Sequence, residues 1–327
     1  MGIVGVGRHG SRYARHAARD IDGIELVAIC RRNEDAGKEI ARECECEYTS
    51  NAVELCSRDD IDTIVLVTVP ALLEELVVTA ASRGKRLLVE KPVAPDTEVG
   101  LRMLSAIDQA GVYCMAGHTL RFNTVVNAIR REIGRIGRID SIVLTQRFGP
   151  QTQIEWIDDP ERSGGGNILH TGVHSFDLIR YMTGLEPATA ACRTSSVYTE
   201  RTEDNFAALL TFRGSDATGL VNCARSCPAR NGLIEISGEK GQLVGDHVLN
   251  TLMWITPNGV EAVELDAPKH TVQEALNALV EDARTGAAPR ADFHDGLVAV
   301  AVADACYRAA ESGQHERVVL PRDPTVV

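Results

Sequence analysis

His170 and His174 stand four positions apart in GGGNILHTGVHSFDLIRYMTG, residues 164–184. Imidazole titrates near neutral pH without help, so the pair has the chemistry to move a proton. It could equally hold a metal, or pack against the helix that the apolar spacing of the following residues predicts. Zinc uses two histidines at this spacing only on an unbroken helix with a third ligand. Here Thr171 and Gly172 stand between them, and glycine weakens a helix interior. No metal site is expected, and the other two readings stay open on these residues alone. Asp177, one turn beyond His174, could orient it or support the helix.

A second set of residues is spaced for a dinucleotide. Gly5, Gly7 and Gly10 form G-V-G-R-H-G after the apolar run GIVGV and before an amphipathic stretch. Between strand and helix, the first glycine permits a tight turn, the second lets a pyrophosphate approach the backbone, and the third lets helix and strand pack closely. The helix N-terminus adds N–H groups and partial positive charge. Arg8 and His9 lie inside the loop and join the candidate cofactor contacts. The second strand ends in IELVAICRRN, where an NAD site usually carries an acidic residue for the ribose hydroxyls. Arg31 and Arg32 suit a 2′-phosphate instead, so NADP is favoured. NAD stays possible, because Glu34 and Asp35 follow closely.

Positioning these residues requires a scaffold that the hydrophobic pattern outlines. In the first third, GIVGV, IELVAIC, DTIVLVTVP, KRLLVE and VYCMAG read as strands. SRYARHAARD, EDAGKEIARE, LLEELVVTAASRG and TEVGLRMLSAIDQAG read as the helices between them. Continuous apolar strands separated by helices predict a doubly wound parallel sheet covered on both faces. After His118 the pattern changes to consecutive strands joined by turn signals, which predicts a largely antiparallel sheet. VQEALNALVEDART and HDGLVAVAVADACYRAAESG read as helices near the end. The expected division is 1–118 and 119–327.

VEKP at Val89–Pro92 closes one of these strands. With the glycine loop, GHTLRFN at 117–123, WIDDPERSGGG at 156–166 and GGGNILHTGVHSFD, it resembles the Gfo/Idh/MocA oxidoreductases over nearly the whole chain. The resemblance implies an NAD(P)-binding Rossmann domain, then an α/β domain with an open, mostly antiparallel sheet for substrate binding and oligomerisation. It implies association into a homodimer or homotetramer. It also implies hydride transfer between a nicotinamide and a secondary alcohol or ketone of a sugar, polyol or related compound. By the same resemblance Lys91 contacts both substrate and cofactor, Glu90 beside it counts with the cofactor contacts, and His174 is the acid/base.

The chemistry asks for such groups. Oxidising a secondary alcohol removes a hydride from carbon and a proton from oxygen, and a near-neutral base accepts the proton. Lys91 could hydrogen-bond the reacting oxygen and stabilise alkoxide charge. Four positions before the acid/base the family most often has a carboxylate, and here stands His170. It can hold His174 or touch substrate, but it brings no negative charge. Leu73 stands where many relatives have a histidine. Arg121 could contact substrate or pin the junction, and Trp156 could form an apolar wall for a sugar face. Two rival classes follow. One is a glycosidase that oxidises a sugar transiently on bound nicotinamide and then eliminates. The other is a non-catalytic NADP(H)-sensing regulator, against which the presence of Lys91 and His174 argues.

Composition narrows the partners. There are 46 acidic and 34 basic residues, and the formal net charge of −12 disfavours nucleic acid and anionic membranes. No apolar run is long enough to cross a bilayer. The first ten residues already read as strand and turn, leaving no room for a signal peptide. Nine scattered cysteines lack zinc spacing and fit small buried side chains in a reducing compartment. The expectation is a cytoplasmic protein with a small-molecule substrate.

Overall fold

A computed structural model describes residues 1–149 and 155–321. The chain divides into two compact units: Met1–Thr119 with His270–Leu297, and Leu120–Lys269 with Val298–Val327.

The first unit is built on six strands: β1 (Gly2–Val4), β2 (Ala28–Cys30), β3 (Glu47–Thr49), β4 (Thr63–Leu66), β5 (Arg86–Glu90) and β6 (Cys114–Gly117). Their order is β3-β2-β1-β4-β5-β6, and every pairing is parallel. That is the dinucleotide-binding strand order, in which ligands meet the carboxyl ends of the strands. Helices α1 (Gly10–Arg19), α2 (Glu34–Glu43), α3 (Ala52–Ser57), α4 (Leu73–Ser82) and α5 (Thr97–Ala110) make the crossovers. Local chemistry starts and stops them. Asn33 accepts the Ala36 N–H at 2.9 Å to cap α2, and Asp96 accepts the Val99 N–H at 2.8 Å to cap α5. Gly111 ends α5 at φ +62°, the left-handed turn where glycine carries no Cβ penalty.

Residues 270–297, which the sequence division places in the second domain, belong to the first unit. Helix α9 (Thr271–Thr285) supplies Val272, Leu276 and Leu279 to the same core as Tyr13, Ala14, Ala17 and Ile21 of the α1 segment. A boundary drawn where the periodicity changes cannot register a helix that returns after some 150 residues.

The second unit holds α6 (Thr124–Glu132), α7 (Pro160–Ser163), α8 (Val173–Thr183) and nine strands: β7 (Ile139–Arg147), β8 (Pro187–Ser195), β9 (Asn205–Phe212), β10 (Ser215–Ala224), β11 (Asn231–Gly238), β12 (Gly241–Asp246), β13 (Thr251–Thr256), β14 (Gly259–Ala262) and β15 (Glu316–Arg317). The sheet order is β14-β13-β12-β11-β7-β10-β9-β8-β15. Among the described residues only the β7–β10 pair of this sheet is parallel, and the other pairs are antiparallel. One face is buried and carries Ile142, Leu144, Ala208, Leu210, Val221, Ile234, Ile236, Leu243 and Leu252. Helices α6 and α8 lie against this sheet. Buried residues recur at every second position along most of β7, β9 and β10, the signature of a sheet with one covered face. A last helix, α10 (Phe293–Ser312), gives its first residues to the first unit and the rest to the second. No helix among the described residues is long and apolar enough to cross a membrane.

Candidate active site

In the first unit the glycine loop follows β1. Gly5 holds φ +91°, and its N–H donates to the Cys30 carbonyl at 2.9 Å, fastening the loop to the end of β2. A Cβ on Gly5 or Gly10 would overlap backbone, of Val67 and Gly5 respectively, whereas at Gly7 it would meet nothing within 4 Å. That is the pattern a pyrophosphate needs: two glycines for close packing and one beside open space. Among the described residues no side chain caps the start of α1. The Ser11 and Arg12 N–H groups donate to the Gly7 and His9 carbonyls at 2.9 and 3.0 Å, and the helix end directs its partial positive charge at the loop. The residues present fit a bound dinucleotide.

Around this loop the structure gathers several of the expected contacts. Arg31, half-buried at the end of β2, donates from Nη1 to the Val6 carbonyl at 3.2 Å, and the Tyr48 hydroxyl donates to the Arg31 carbonyl at 2.9 Å. Its guanidinium is thus held at the glycine loop. Arg8 and Arg32 are exposed. On the other side, Glu90 is buried at the end of β5. Its Oε1 accepts from the Tyr13 hydroxyl at 2.6 Å and lies 2.9 Å from His9 Nε2. Its Oε2 accepts the backbone N–H of Lys91 at 3.0 Å. Burial pushes this carboxyl up. The charges of His9 and Lys91, with the bonds from His9 and Tyr13, outweigh it and hold it below the ordinary glutamate value. The half-buried Lys91 follows, and its bond to Pro92 is cis.

In the second unit, Asp158 anchors the loop that bears Trp156. Its carboxylate accepts the N–H groups of Glu200, Arg201 and Thr202, each at 2.9 Å. Burial raises its pKa, but these donors bring it below the ordinary aspartate value. Gly164 ends α7 in the left-handed region at φ +75°. Gly166 and Ile168 are then held by one pair of side chains. The Gly166 N–H donates to the Tyr307 hydroxyl at 3.0 Å, and the Ile168 N–H to Glu203 Oε1 at 2.7 Å. The Tyr307 hydroxyl itself donates to Glu203 at 3.0 Å. Burial pushes the Glu203 carboxyl above its ordinary value despite these donors.

Residues Ile168–Gly172 form a π turn that runs into α8. His170 sits in the π turn and His174 in the α-helix, so their four-residue spacing does not carry the meaning it has on a regular helix. His170 is buried, with its ring edge-on to Trp156 at 5.2 Å. Its Nε2 lies 3.1 Å from the Ser163 carbonyl. A carbonyl only accepts, so that nitrogen carries the proton. His174 is half-buried in the first turn of α8. Arg121 and Asp177, 4% and 1% exposed, form a two-pronged ion pair with Nε–Oδ2 at 3.0 Å and Nη2–Oδ1 at 2.6 Å. The guanidinium also lies over the Tyr181 ring, 4.9 Å from its centre.

Known proteins match this arrangement in the same two parts. Residues 1–118 fit the family described as "Oxidoreductase family, NAD-binding Rossmann fold", and residues 125–244 the "GFO/IDH/MocA C-terminal domain". The chain belongs to the Gfo/Idh/MocA oxidoreductases. It is similar to the inositol 2-dehydrogenase of Rhizobium meliloti strain 1021, at 27% identity over 94% of this chain and 96% of that protein. It is similar to the 1,5-anhydro-D-fructose reductase of Ensifer adhaerens, at 28% identity over 96% of each. Among solved structures, a levoglucosan dehydrogenase in complex with NADH and L-sorbose superposes with a TM-score of 0.90 at 20% identity, over 98% of this chain and 99% of that one. This last likeness speaks to the fold alone. As a Gfo/Idh/MocA member the chain is an NAD(P)-dependent oxidoreductase.

Sequence reasoning missed Tyr13, Glu203 and Tyr307. Each reaches its partner across a large gap in sequence, and each reads locally as an ordinary helix or loop residue. No signal near them could have shown the link.

Proposed function

We propose that this Gfo/Idh/MocA member transfers a hydride between NADP(H) and a secondary alcohol or ketone of a sugar or polyol, with NAD(H) the weaker cofactor. The observation that carries this reading is a glycine loop shaped for pyrophosphate, with Lys91 at the carboxyl end of β5 in the same unit. The names of the inositol and anhydrofructose relatives supply the substrate class. The arginine held against Val6 supports the preference for a 2′-phosphate over a free hydroxyl pair.

When bound, the nicotinamide supplies the hydride acceptor or donor. The chain's own groups do the rest. Lys91 donates to the reacting oxygen and lowers the cost of its negative charge. His174 takes the hydroxyl proton in oxidation and returns it in reduction. His170, its Nε2–H committed to Ser163 and its ring set against Trp156, holds the shape of the histidine turn rather than moving a proton. Trp156 offers an apolar surface to a sugar face. Arg121, enclosed with Asp177, pins α8 to the segment before α6 and leaves substrate to other residues.

The chain is further proposed to act as a homodimer or homotetramer in the cytoplasm, where its nine unpaired cysteines would stay reduced. The test is turnover of myo-inositol, levoglucosan and 1,5-anhydro-D-fructose with each dinucleotide. Lys91→Ala and His174→Ala should each lower kcat by about 10²–10⁴-fold. Full turnover in either variant would refute its assigned role.

A further inference from the structure

Glu90 differs from the other expected cofactor contacts in where its oxygens point. Both are occupied from within the protein: Oε1 by Tyr13 and His9, and Oε2 by the Lys91 N–H. The side chain is folded back under the loop, and Gly117 on the neighbouring strand makes room for it. A Cβ on Gly117 would lie 2.7 Å from the Glu90 Cα. A charged carboxylate in such a place is tolerated only because donors saturate it.

Tyr13 donates from α1, and the other two donors come from two functional segments. His9 lies in the glycine loop between Gly7 and Gly10, with its ring edge-on to Tyr13 at 5.6 Å. Lys91 lies in the turn after β5. His9 and Lys91 are far apart in sequence, and Glu90 is bonded to both.

We propose that Glu90 is a positioning residue whose carboxylate ties the glycine loop, through His9, to the backbone of Lys91, so that a dinucleotide settling on the loop also sets the lysine. This rests on the reading of Lys91 as a cofactor contact. Its worth would lie in pre-organisation: the lysine is fixed by the same contact that fixes the pyrophosphate site, before any substrate arrives.

A binding cycle with NADPH tests it, and needs no substrate. Dissociation constants are measured by nucleotide fluorescence for the wild type, Glu90→Ala, Lys91→Ala and the double variant, with a thermal melt for each. Glu90→Ala should weaken NADPH by about 10–100-fold, and much of that loss should vanish in the Lys91→Ala background, because residues acting as a unit are not additive. Glu90→Gln should recover most of the affinity. Its amide oxygen can still accept the Lys91 N–H, and its NH2 can meet Tyr13 and a neutral His9. Should Glu90→Ala not fold, His9→Ala with Lys91→Ala forms the same kind of cycle, since the His9 side chain is 42% exposed and leaves Tyr13 and the Lys91 N–H on the carboxylate. Coupling between those two would uphold the proposal. Losses that simply multiply, with Glu90→Gln as damaging as Glu90→Ala, would make Glu90 a packing residue and overturn it. Unchanged NADPH affinity in Lys91→Ala alone would instead remove the reading of Lys91 on which the proposal depends.

Discussion

Arg31 and Glu90 border the glycine loop with opposite charge, and each allows a residue-level prediction. Arg31→Glu should invert the cofactor preference. It removes the cation proposed to face a 2′-phosphate and supplies a carboxylate that accepts from a ribose diol. The NADPH-to-NADH affinity ratio should fall by at least about 10–100-fold, since a lost charge-assisted hydrogen bond is worth roughly 1.5–3 kcal/mol. A titration of both nucleotides reads this directly, and an unchanged ratio would make the arginine a loop brace to Val6 only. Glu90 contributes to the loss of stability in acid. Its folded-state pKa lies below the ordinary 4.5, so the unfolded chain binds the extra proton between the two values. Its contribution is therefore full above pH 4.5 and is lost as the pH falls through the lowered value. The gap in Tm between wild type and Glu90→Gln should be widest near neutrality and close in acid, where the protonated carboxyl and the amide become alike. A gap that is flat with pH would mean that the carboxylate is not charged in the folded chain. The residues named by type and spacing, the three glycines and Arg31, do meet at one loop. Their support was illegible, because Tyr13–Glu90 and Tyr307–Glu203 are contacts between distant segments, and no local pattern encodes them.

At the scale of elements, the π turn is the feature with the sharpest steric demand. Gly172 closes it, and a Cβ there would come within 2.8 Å of Phe206 and 3.1 Å of Phe176, both buried rings. Alanine normally favours a helix over glycine by about 1 kcal/mol. Overpacking a rigid core costs about 1–3 kcal/mol, so the clash should win. Gly172→Ala is expected to lower Tm by several degrees, whereas Gly134→Ala, in the short helical turn Ile133–Ile136 with nothing within 4 Å, should leave it unchanged or slightly raised. Equal melting of the two variants would show that the rings yield. Strands flanked by strong apolar periodicity were legible: the runs GIVGV, DTIVLVTVP and KRLLVE fall on β1, β4 and β5 to within a few residues. The strand β3 and helix α3 were not. Glu47–Thr49 is a three-residue edge strand with no buried residue, so it lacks the hydrophobic signal that marks its neighbours. The π turn was hidden as well, since its residues fit a helical pattern and only its hydrogen-bond spacing differs.

For the molecule as a whole, the uncovered face of the nine-stranded sheet argues for association. The register places Leu209, Leu220, Val143, Glu235, Val244 and Met253 in one row across six strands. Leu209, Leu220 and Met253 are 42%, 40% and 39% exposed. Exposed apolar side chains in a row broken only by Glu235 form the kind of surface commonly covered by a partner. The wild type should run as a dimer or tetramer in light scattering, and Leu220→Glu should dissociate it without unfolding it, because an unpaired charge buried in an interface costs about 3–5 kcal/mol. A wild type that is monomeric at micromolar concentration would end that proposal. The return of α9 to the first unit has a different bearing, on how the protein is made. A ribosome delivers the glycine loop first, but the core that α1 lines is complete only when Val272, Leu276 and Leu279 emerge. At ordinary elongation rates that wait is on the order of ten seconds. During it the core that α9 completes stays open on that side, which makes the cofactor domain a poor choice for expression as a fragment that stops before residue 270.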